Sequence, residues 1–225
     1  MSVNTPLWTP TSDAIAKSNL TAFEAQLERE HGLSFDGYEE LHQWSVQHKE
    51  AFWKALCSFA DLRVSRLGER VLENPTAMPG ATWFPDARLN YAENLLRRRD
   101  DGVALIFQGE DRVHRRISWS ELYDQVSTLA QALRAAGVCS GDRVAAVLPN
   151  LPETIVAMLA ATSIGATWTS CSPDFGVQGV LDRFGQVEPK VLFVTDGYAY
   201  NGKIRGCRAK AKEIAGSLPS LEQVV

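Results

Sequence analysis

Two polar segments of the sequence contain residues suited to ligand binding. The first, SPDFG at residues 172–176, comes directly after the apolar run IGATWTSC. Pro173 fixes its own φ, and Asp174 or Gly176 can begin a following helix, where free N–H groups and the helix dipole favour an anion. Phe175 could then cover a planar or apolar part of a ligand. A structural cap, with Asp174 capping the helix and Phe175 packed inward, explains the same residues, and the residue types alone favour it.

The second segment, TDGYAYNGK at residues 195–203, combines turn-forming residues with aromatic rings and a cation. Its glycines and its asparagine permit positive φ and a close approach of the backbone to a ligand. Tyr198 and Tyr200 supply rings, and Lys203 supplies a compact charge suited to phosphate. An ordinary surface loop would have the same composition, so these residues leave both interpretations open.

Several common catalytic sites are excluded by the motifs that they require. A protein kinase needs a glycine-rich loop and an H-R-D loop besides D-F-G, and neither occurs in the sequence. The spaced glycines of a dinucleotide-binding turn and the G-x-S-x-G of a serine hydrolase are also missing. The four cysteines form no C-x-x-C pair, which argues against zinc. We therefore predict neither a catalytic residue nor a metal ligand in this chain.

The composition is that of an ordinary globular protein. Of 225 residues, 45% are apolar and 22% are charged, which is enough for a sizeable core. The net charge of −4 gives no electrostatic footprint for nucleic acid. No apolar run has the length of a signal peptide or a membrane span, so we expect a soluble protein of a reducing compartment, the cytoplasm. A basic run is predicted to form the solvated face of a helix, and it consists of Lys203, Arg205, Arg208, Lys210 and Lys212.

Residues 1–95 predict a helical, aromatic-rich region. Ser18 can cap a helix that runs through FEAQLERE, and Gly32 can end it. The segments EELHQWSVQHKEAFWKALCSFADL and WFPDARLNYAENLLRRR continue the helical pattern, with the turn-rich NPTAMPG between them.

Residues 96–225 predict an α/β region. A strand pair, VALIF and residues 113–117 joined by the turn QGEDR, leads into a helix with the capping box Ser118–Glu121. The apolar strands RVAAVLP, ATWTSC and VLFVT then alternate with two helices, of which Asn150 caps the first. Fully apolar strands with short connections indicate a parallel βαβαβ sheet covered by helices on both faces. Ligands bind beyond the carboxyl ends of such strands, where both polar segments lie.

Several blocks of the sequence resemble, in the same order, the acyl-CoA synthetases that form acyl-adenylates: WSV…FW, WFPDARLNYAENLL, GDRVAAVLPNLPE, MLAATSIGATWTSCSPDFG and YNGK. Within that superfamily, LNYAENLL and SPDFG are most similar to the acetoacetyl-CoA synthetase family. The resemblance implies a helical N-terminal region, residues 1–95, and the start of an AMP-binding domain, residues 96–225. It also implies a ligase in which ATP, with Mg²⁺, and a carboxylate give an acyl-adenylate and diphosphate. CoA then gives the thioester and AMP.

The resemblance also implies which residues contact CoA. In the sister acetyl-CoA synthetases, the turn matching SPD lies against the CoA nucleotide, and the loop matching YNGK directs basic side chains at CoA phosphates. The implied CoA-binding residues are Ser172, Pro173, Asp174, Tyr200, Gly202 and Lys203. The acetyl-CoA synthetases have glycines in place of Pro173 and Asp174 and an arginine in place of Tyr200. Asp86 also replaces a glycine, a replacement that we expect to have no functional effect in a surface turn.

The family's phosphate loop, its adenine- and Mg-binding acidic motif, its ribose-binding aspartate and its C-terminal lysine are not found in the sequence. The resemblance therefore implies an N-terminal fragment of a longer enzyme that is inactive on its own, with Val224 and Val225 beginning another strand. Acetoacetate, ATP and CoA are the implied small-molecule partners, with no role for nucleic acid or a membrane. The alternatives are a ligase for acetate or propionate and a short non-catalytic protein that binds CoA.

Overall fold

A computed structural model describes residues 6–110 and 113–225 of the chain. The chain divides into two compact units, one that ends at Leu89 and one from Asn90 to Val225. In the described part, no helix is both long and apolar enough to cross a membrane.

The first unit contains helices, as predicted, up to Phe59, whereas residues 60–89 form turns and short strands. Ser18 caps its second helix, with Oγ accepting the N–H of Thr21 at 3.1 Å, and Gly32 ends that helix at φ 65°. Phe23 and Leu27 of this helix pack into a buried cluster with aromatic rings of the neighbouring helices. The described helices of the unit are α1 (Ser12–Ala16), α2 (Asn19–His31), α3 (Tyr38–Gln47) and α4 (Lys49–Phe59).

The helical segment after residue 38 is divided at His48. The backbone of His48 has φ −117° and ψ 50°, which is outside the helical region, so α3 ends and α4 begins there. Phe52 of α4 makes edge-on contacts with Phe23 and Trp44, with ring centroids 5.9 and 6.1 Å apart. Because of the division, α3 and α4 both contribute rings to the cluster around α2.

The segment WFPDARLNYAENLLRRR is helical only near its end, so the prediction of a continuous helix is wrong. Trp83 pairs with Leu72 in a short antiparallel ladder. Phe84 then has a positive φ of 43°, which a right-handed helix does not contain. The two short strands of the unit are β1 (Leu72–Glu73) and β2 (Thr82–Trp83).

Asp86 forms ion pairs in its turn. Its carboxylate accepts hydrogen bonds from Arg70 at 2.6 and 2.8 Å and lies 3.6 Å from Arg66. The hydrogen bond from Arg70 lowers the pKa of Asp86. A Cβ at Gly68 would lie 2.4 Å from the Cβ of Asp86, so the close approach of these two segments requires glycine at position 68.

The second unit is built around a parallel sheet. In chain order its described elements are α5 (Tyr91–Leu95), β3 (Val103–Gln108), β4 (His114–Ser118), α6 (Trp119–Ala135), β5 (Arg143–Val147), α7 (Pro152–Ser163), β6 (Thr167–Cys171), α8 (Val177–Val187), β7 (Val191–Val194), β8 (Gly197–Tyr200), β9 (Lys203–Gly206), α9 (Arg208–Gly216) and β10 (Gln223–Val224). Four of the strands pair in parallel in the order β10-β7-β5-β6, which confirms the predicted βαβαβ arrangement. β10 confirms the further strand expected at Val224.

Helices cover both faces of this sheet, because β5 supplies alternate residues to two separate cores. Val144 and Ala146 belong to a core that includes residues of α6 and α7, whereas Ala145 and Val147 belong to a core that includes residues of α8 and α9. All four side chains are at most 5% exposed. A strand buried on both faces has no polar alternation, as the sequence of β5 shows.

β3 and β4 form the predicted antiparallel pair, with Phe107 opposite Arg115. Ser118 then begins α6 through the predicted capping box. Its Oγ accepts the N–H of Glu121, and the carboxylate of Glu121 accepts the N–H of Ser118. Residues 111 and 112 of the predicted QGEDR turn lie outside the described residues.

Asn150 does not cap α7, so that prediction is wrong. Leu151 occupies the cap position without a side-chain hydrogen bond, and Pro152 is the first helical residue. Glu153 forms a bidentate ion pair with Arg115, at 2.6 and 2.7 Å. This pair ties the start of α7 to β4 and leaves Asn150 exposed beyond the carboxyl end of β5.

The end of α8 generates a stability prediction. Glu188 adopts the left-handed conformation there, with φ 50° and ψ 65°, which costs a non-glycine residue about 1 kcal/mol or more. We expect Glu188→Gly to raise the free energy of unfolding by about 1 kcal/mol in chemical denaturation. The matched variant Glu213→Gly, inside α9, should lower it by about 1 kcal/mol. A loss of stability with Glu188→Gly would contradict the left-handed helix end.

Candidate functional site

The two polar segments lie at the same edge of the parallel sheet. Val147 of β5 pairs with Cys171, the last residue of β6, and with Val194, the last residue of β7. SPDFG follows β6 directly, and TDGYAYNGK follows β7 directly. Both segments therefore occupy the predicted position beyond the carboxyl ends of the strands.

TDGYAYNGK is part of a β-hairpin rather than a loop. β8 and β9 pair in antiparallel register, with Tyr198 opposite Arg205 and Tyr200 opposite Lys203. Asn201 and Gly202 form the connection with φ values of 50° and 69°. Two consecutive positive φ values are what a tight hairpin turn requires, and Asn-Gly is the sequence that favours it. The segment is therefore a surface hairpin rather than an irregular loop, and the Asn-Gly pair was the signal for it.

Asp174 connects the turn at residues 172–176 to this hairpin. The hydroxyl of Tyr198 donates a hydrogen bond to Asp174 Oδ1, and Ser172 Oγ donates to Oδ2 at 2.9 Å. The N–H of Asp174 donates to Ser172 Oγ at 3.2 Å. The cap position of α8 is occupied by Gly176, which makes no side-chain cap bond. The interpretation of Asp174 as the cap of that helix is therefore wrong.

This contact changes the acidity of both partners. The hydrogen bond from Tyr198, followed by the one from Ser172, lowers the pKa of Asp174. The hydrogen bond to Asp174 raises the pKa of Tyr198 to about 12. Because its pKa is lowered, ionised Asp174 stabilises the fold at pH values above about 3.9, the pKa of the group in the unfolded chain. This stabilisation is lost as the pH falls through the pKa in the folded protein. Because its pKa is raised, the protonated hydroxyl of Tyr198 stabilises the fold at pH values below about 10, the pKa of the group in the unfolded chain. This stabilisation is lost as the pH rises through the pKa in the folded protein.

Lys210 of α9 binds the main chain of the same turn. Its Nζ donates to the carbonyl oxygen of Pro173 and to that of Phe175, the latter at 3.0 Å. Lys210 is half-buried, so the prediction that it lies on a solvated helix face is wrong. Arg208 is exposed and lies 3.3 Å from Asp196. Lys203, Arg205 and Lys212 are exposed, but Lys203 and Arg205 lie on strand β9, so the prediction of a single helix face is wrong for these two.

Pro173 is buried and Phe175 is partly exposed. The side chain of Pro173 is among those less than 2% exposed, so it packs in the interior and offers little surface to a ligand. Phe175 is 39% exposed, and the guanidinium of Arg183 lies over its ring at 4.5 Å. The interpretation in which Phe175 packs inward is therefore wrong, and its ring stays available as a surface.

A cleft of about 590 Å³ lies beside the turn and the hairpin. Its walls come from the β3–β4 pair, the segment between β5 and α7, the turn after β6, and β8. Four of the six residues predicted to bind CoA line it, namely Ser172, Pro173, Asp174 and Tyr200. Gly202 and Lys203 are at the exposed tip of the hairpin and are not among its lining residues. A second cavity of about 290 Å³ is lined by Arg205 and Lys210 together with Asp174, Tyr198 and Tyr200.

Acidic side chains line the cleft, and exposed cations lie on the neighbouring strand β9. Glu110, Glu153 and Asp174 line the cleft, and its cation Arg115 is paired with Glu153, whose pKa is lowered by that hydrogen bond. The exposed cations Lys203 and Arg205 lie on the neighbouring hairpin strand β9. The arrangement suits a ligand with a planar, hydrogen-bonding part in the cleft and an anionic part toward β9.

Sequence reasoning missed two walls of the cleft. Phe107 and Arg115 reach it from β3 and β4, and Asn150 and Leu151 reach it from the end of β5. The strand-end rule applied to β5 would have indicated the second pair. Residue pattern gave no signal for the first pair, because its position depends on the contact between Arg115 and Glu153.

The polar side chains of the large cleft are hydroxyls, carboxylates, amides and one guanidinium. No histidine, cysteine or lysine occurs among the described residues that line the large cleft. Within residues 6–110 and 113–225, no group of three or more histidine, cysteine or acidic side chains is placed to hold a metal ion.

Comparison with protein families gives two matches along the chain. The model of the AMP-binding enzyme family matches residues 92–224. The model described as the acetyl-coenzyme A synthetase N-terminus matches residues 38–95.

Individual relatives are similar over nearly the whole chain. The acetoacetyl-coenzyme A synthetase of Rhizobium meliloti (strain 1021) is 49% identical over 218 residues, which are 97% of this chain and 33% of that protein. The acetoacetyl-CoA synthetase of Rattus norvegicus is 40% identical over 222 residues, again 97% of this chain and 33% of that protein. The solved structure of acetoacetyl-CoA synthetase from Streptomyces lividans has a TM-score of 0.92 and 47% identity, over 98% of this chain and 34% of that chain. The chain thus spans about a third of the length of these relatives.

The contact between Tyr198 and Asp174 predicts an unusual tyrosine titration. The ultraviolet absorbance of phenolate, taken as the difference between the protein and its Tyr198→Phe variant, should report a pKa of about 12. Asp174→Asn should move that value toward the ~10 of free tyrosine, because it removes the carboxylate that opposes ionisation. Tyr91→Phe, which alters an exposed tyrosine on α5, is the control. A titration that Asp174→Asn leaves unchanged would contradict the contact.

Proposed function

Because this chain belongs to the AMP-binding enzyme family, we propose that it forms part of an ATP-dependent acetoacetate–CoA ligase. The observation that carries the proposal is the likeness to acetoacetyl-CoA synthetases along nearly the whole chain, in sequence and in backbone. The cleft is compatible with this role, since it lies beyond the carboxyl ends of the parallel strands, where ligands of such sheets bind.

The proposed reaction has two steps. A carboxylate oxygen of acetoacetate attacks the α-phosphorus of ATP, which gives the acyl-adenylate and releases diphosphate. The CoA thiol, after loss of its proton, then attacks the acyl carbon, and AMP leaves with the electron pair of the broken C–O bond. AMP is a far better leaving group than hydroxide, so a difficult acyl transfer is divided into two feasible steps.

The contribution of this chain is to bind CoA. Phosphate-loop and adenine-binding motifs are not found in its sequence, so we assign ATP binding to other parts of the ligase. The Mg²⁺ that accompanies ATP has no fitting set of ligands among the described residues. The division of the chain into a synthetase N-terminal region, residues 1–95, and the beginning of an AMP-binding domain, residues 96–225, is part of the proposal.

The turn and the hairpin are proposed as the CoA-binding elements. Ser172, Asp174 and Tyr200 line the cleft, where the nucleotide end of CoA finds aromatic and polar surface. Lys203 is exposed on the same hairpin and supplies a cation for a CoA phosphate. The proposed direct contacts are Ser172, Tyr200, Gly202 and Lys203. Pro173 and Asp174, which the resemblance also implied, are held within the protein, because the carbonyl oxygen of Pro173 accepts from Lys210 and the carboxylate of Asp174 accepts from Tyr198 and Ser172.

A ligase for acetate or propionate is the second candidate. It is favoured by the match of residues 38–95 to the acetyl-coenzyme A synthetase N-terminus. Both candidates place the reaction in the cytoplasm, where free thiols such as those of the four cysteines persist.

The function is tested with the full-length protein that contains this chain. Incubated with ATP, Mg²⁺ and CoA, it should form AMP, diphosphate and acetoacetyl-CoA, with kcat/KM for acetoacetate at least about tenfold above that for acetate or propionate, a difference of ~1.4 kcal/mol. The chain of 225 residues alone should form no AMP. A preference for acetate or propionate would support the second candidate, and no AMP with any of the three acids would overturn both.

The same assay tests the CoA-binding residues. Lys203→Ala should raise KM for CoA about fivefold, because a cation facing phosphate is lost, and should leave KM for acetoacetate unchanged. The matched control is Lys212→Ala, which removes another exposed cation of the basic run. Equal effects of the two variants would contradict a specific contact at Lys203.

A further inference from the structure

We propose that Tyr198 is a positioning residue for CoA: through its hydrogen bond to Asp174 it holds the β8–β9 hairpin against the turn at residues 172–176. The inference rests on the proposed function, and it adds a residue that the comparison with acyl-CoA synthetases did not indicate. Asp174, in turn, acts as the acceptor of this contact rather than as an independent contact to CoA.

The hydrogen bonds of the Asp174 carboxylate support the proposal first. One of its oxygens accepts from Tyr198 and the other from Ser172, so both are engaged within the protein. A free carboxylate next to a phosphorylated ligand would repel that ligand. Two hydroxyl donors disperse its charge, and the contact becomes a link between two chain segments that are 24 residues apart.

The second argument is the register of the hairpin. Tyr198 and Tyr200 are two residues apart on β8, so their side chains lie on one face, about 7 Å apart along the strand. Lys203 is paired with Tyr200 and Arg205 with Tyr198, which places these cations on the same face. Fixing Tyr198 on the turn therefore also fixes the position of Tyr200 and Lys203 relative to the cleft.

A further observation is that one strand of the hairpin is exposed, whereas Gly197, Tyr198 and Ala199 of the other strand are half-buried. All four residues of β9 are exposed, and a two-stranded hairpin alone is marginally stable in water. The turn, in contrast, is held independently, since Lys210 of α9 binds its carbonyl groups at Pro173 and Phe175. Loss of the Tyr198 hydroxyl should loosen the hairpin and leave the turn in place.

The test is a double-mutant cycle in the full-length protein with Tyr198→Phe, Asp174→Asn and the double variant. Each single variant should raise KM for CoA about fivefold. The KM of the double variant should be no higher than the higher KM of the two single variants, because all three lose the same contact. The rate of ATP–diphosphate exchange with acetoacetate, which needs no CoA, should stay unchanged. That exchange also shows that the variants are folded. Tyr91→Phe, an exposed tyrosine away from the cleft, should change neither quantity.

Three results would overturn the proposal. The first is an unchanged KM for CoA in Tyr198→Phe. The second is a double variant whose effect is the product of the single effects, since Asp174 would then contact CoA on its own. The third is a fall in the exchange rate by the same factor as the rise in KM for CoA, since Tyr198 would then serve folding in general. If only Tyr198→Phe loses exchange activity, the KM for CoA and the exchange rate of Asp174→Asn decide between the two roles. Wild-type protein that makes no use of CoA would overturn the proposed function itself, so the two failures are distinguishable.

Discussion

β5 lies between β6 and β7 and shares main-chain hydrogen bonds with both, so the carboxyl ends of the three strands meet at one edge of the sheet. The backbone polar groups of a strand buried on both faces have no water to bind, which makes this pairing obligatory. The apolar residues of β5 secure it further by packing into two cores. Everything in the candidate site follows from that edge, because the turn after β6 and the hairpin after β7 begin side by side there.

The binding properties of the site depend on where its acidic and basic side chains lie. An acidic residue, Asp174, stands in the turn that is proposed to meet a phosphorylated ligand. Its pKa is lowered, so it is ionised at neutral pH, and hydroxyl donors from Tyr198 and Ser172 occupy its oxygens. The cations that could meet phosphate lie on β9, and Arg205 among them lines the smaller cavity together with Asp174. Lys210, the cation nearest the turn, is engaged with main-chain carbonyls instead.

The parts of the fold that depend on local pattern could be predicted from the sequence. Alternation of apolar strands with capped helices predicts the parallel sheet, and Ser18 and the Ser118–Glu121 capping box begin helices where expected. Local rules failed where tertiary contacts prevailed. Glu153 pairs with Arg115, which is 38 positions away in the chain, instead of serving a cap near Asn150.

The position of the candidate site could be predicted from the sequence, but its hydrogen bonds could not. The strand-end rule located the turn and the second polar segment, and the resemblance to acyl-CoA synthetases gave them a ligand. Asn-Gly at residues 201–202 could also have indicated the hairpin. The contacts of Asp174 with Tyr198 and of Lys210 with the turn could not be predicted, because they join residues far apart in the sequence whose meeting depends on how α9 and β8 pack.

The most direct test of the account is amide hydrogen exchange of the full-length protein with and without CoA. We expect CoA to slow exchange in peptides that cover residues 172–176 and 197–206, the turn and the hairpin, with little change in the helical unit that ends at Leu89. Protection confined to segments outside the turn and the hairpin would contradict the proposed CoA site.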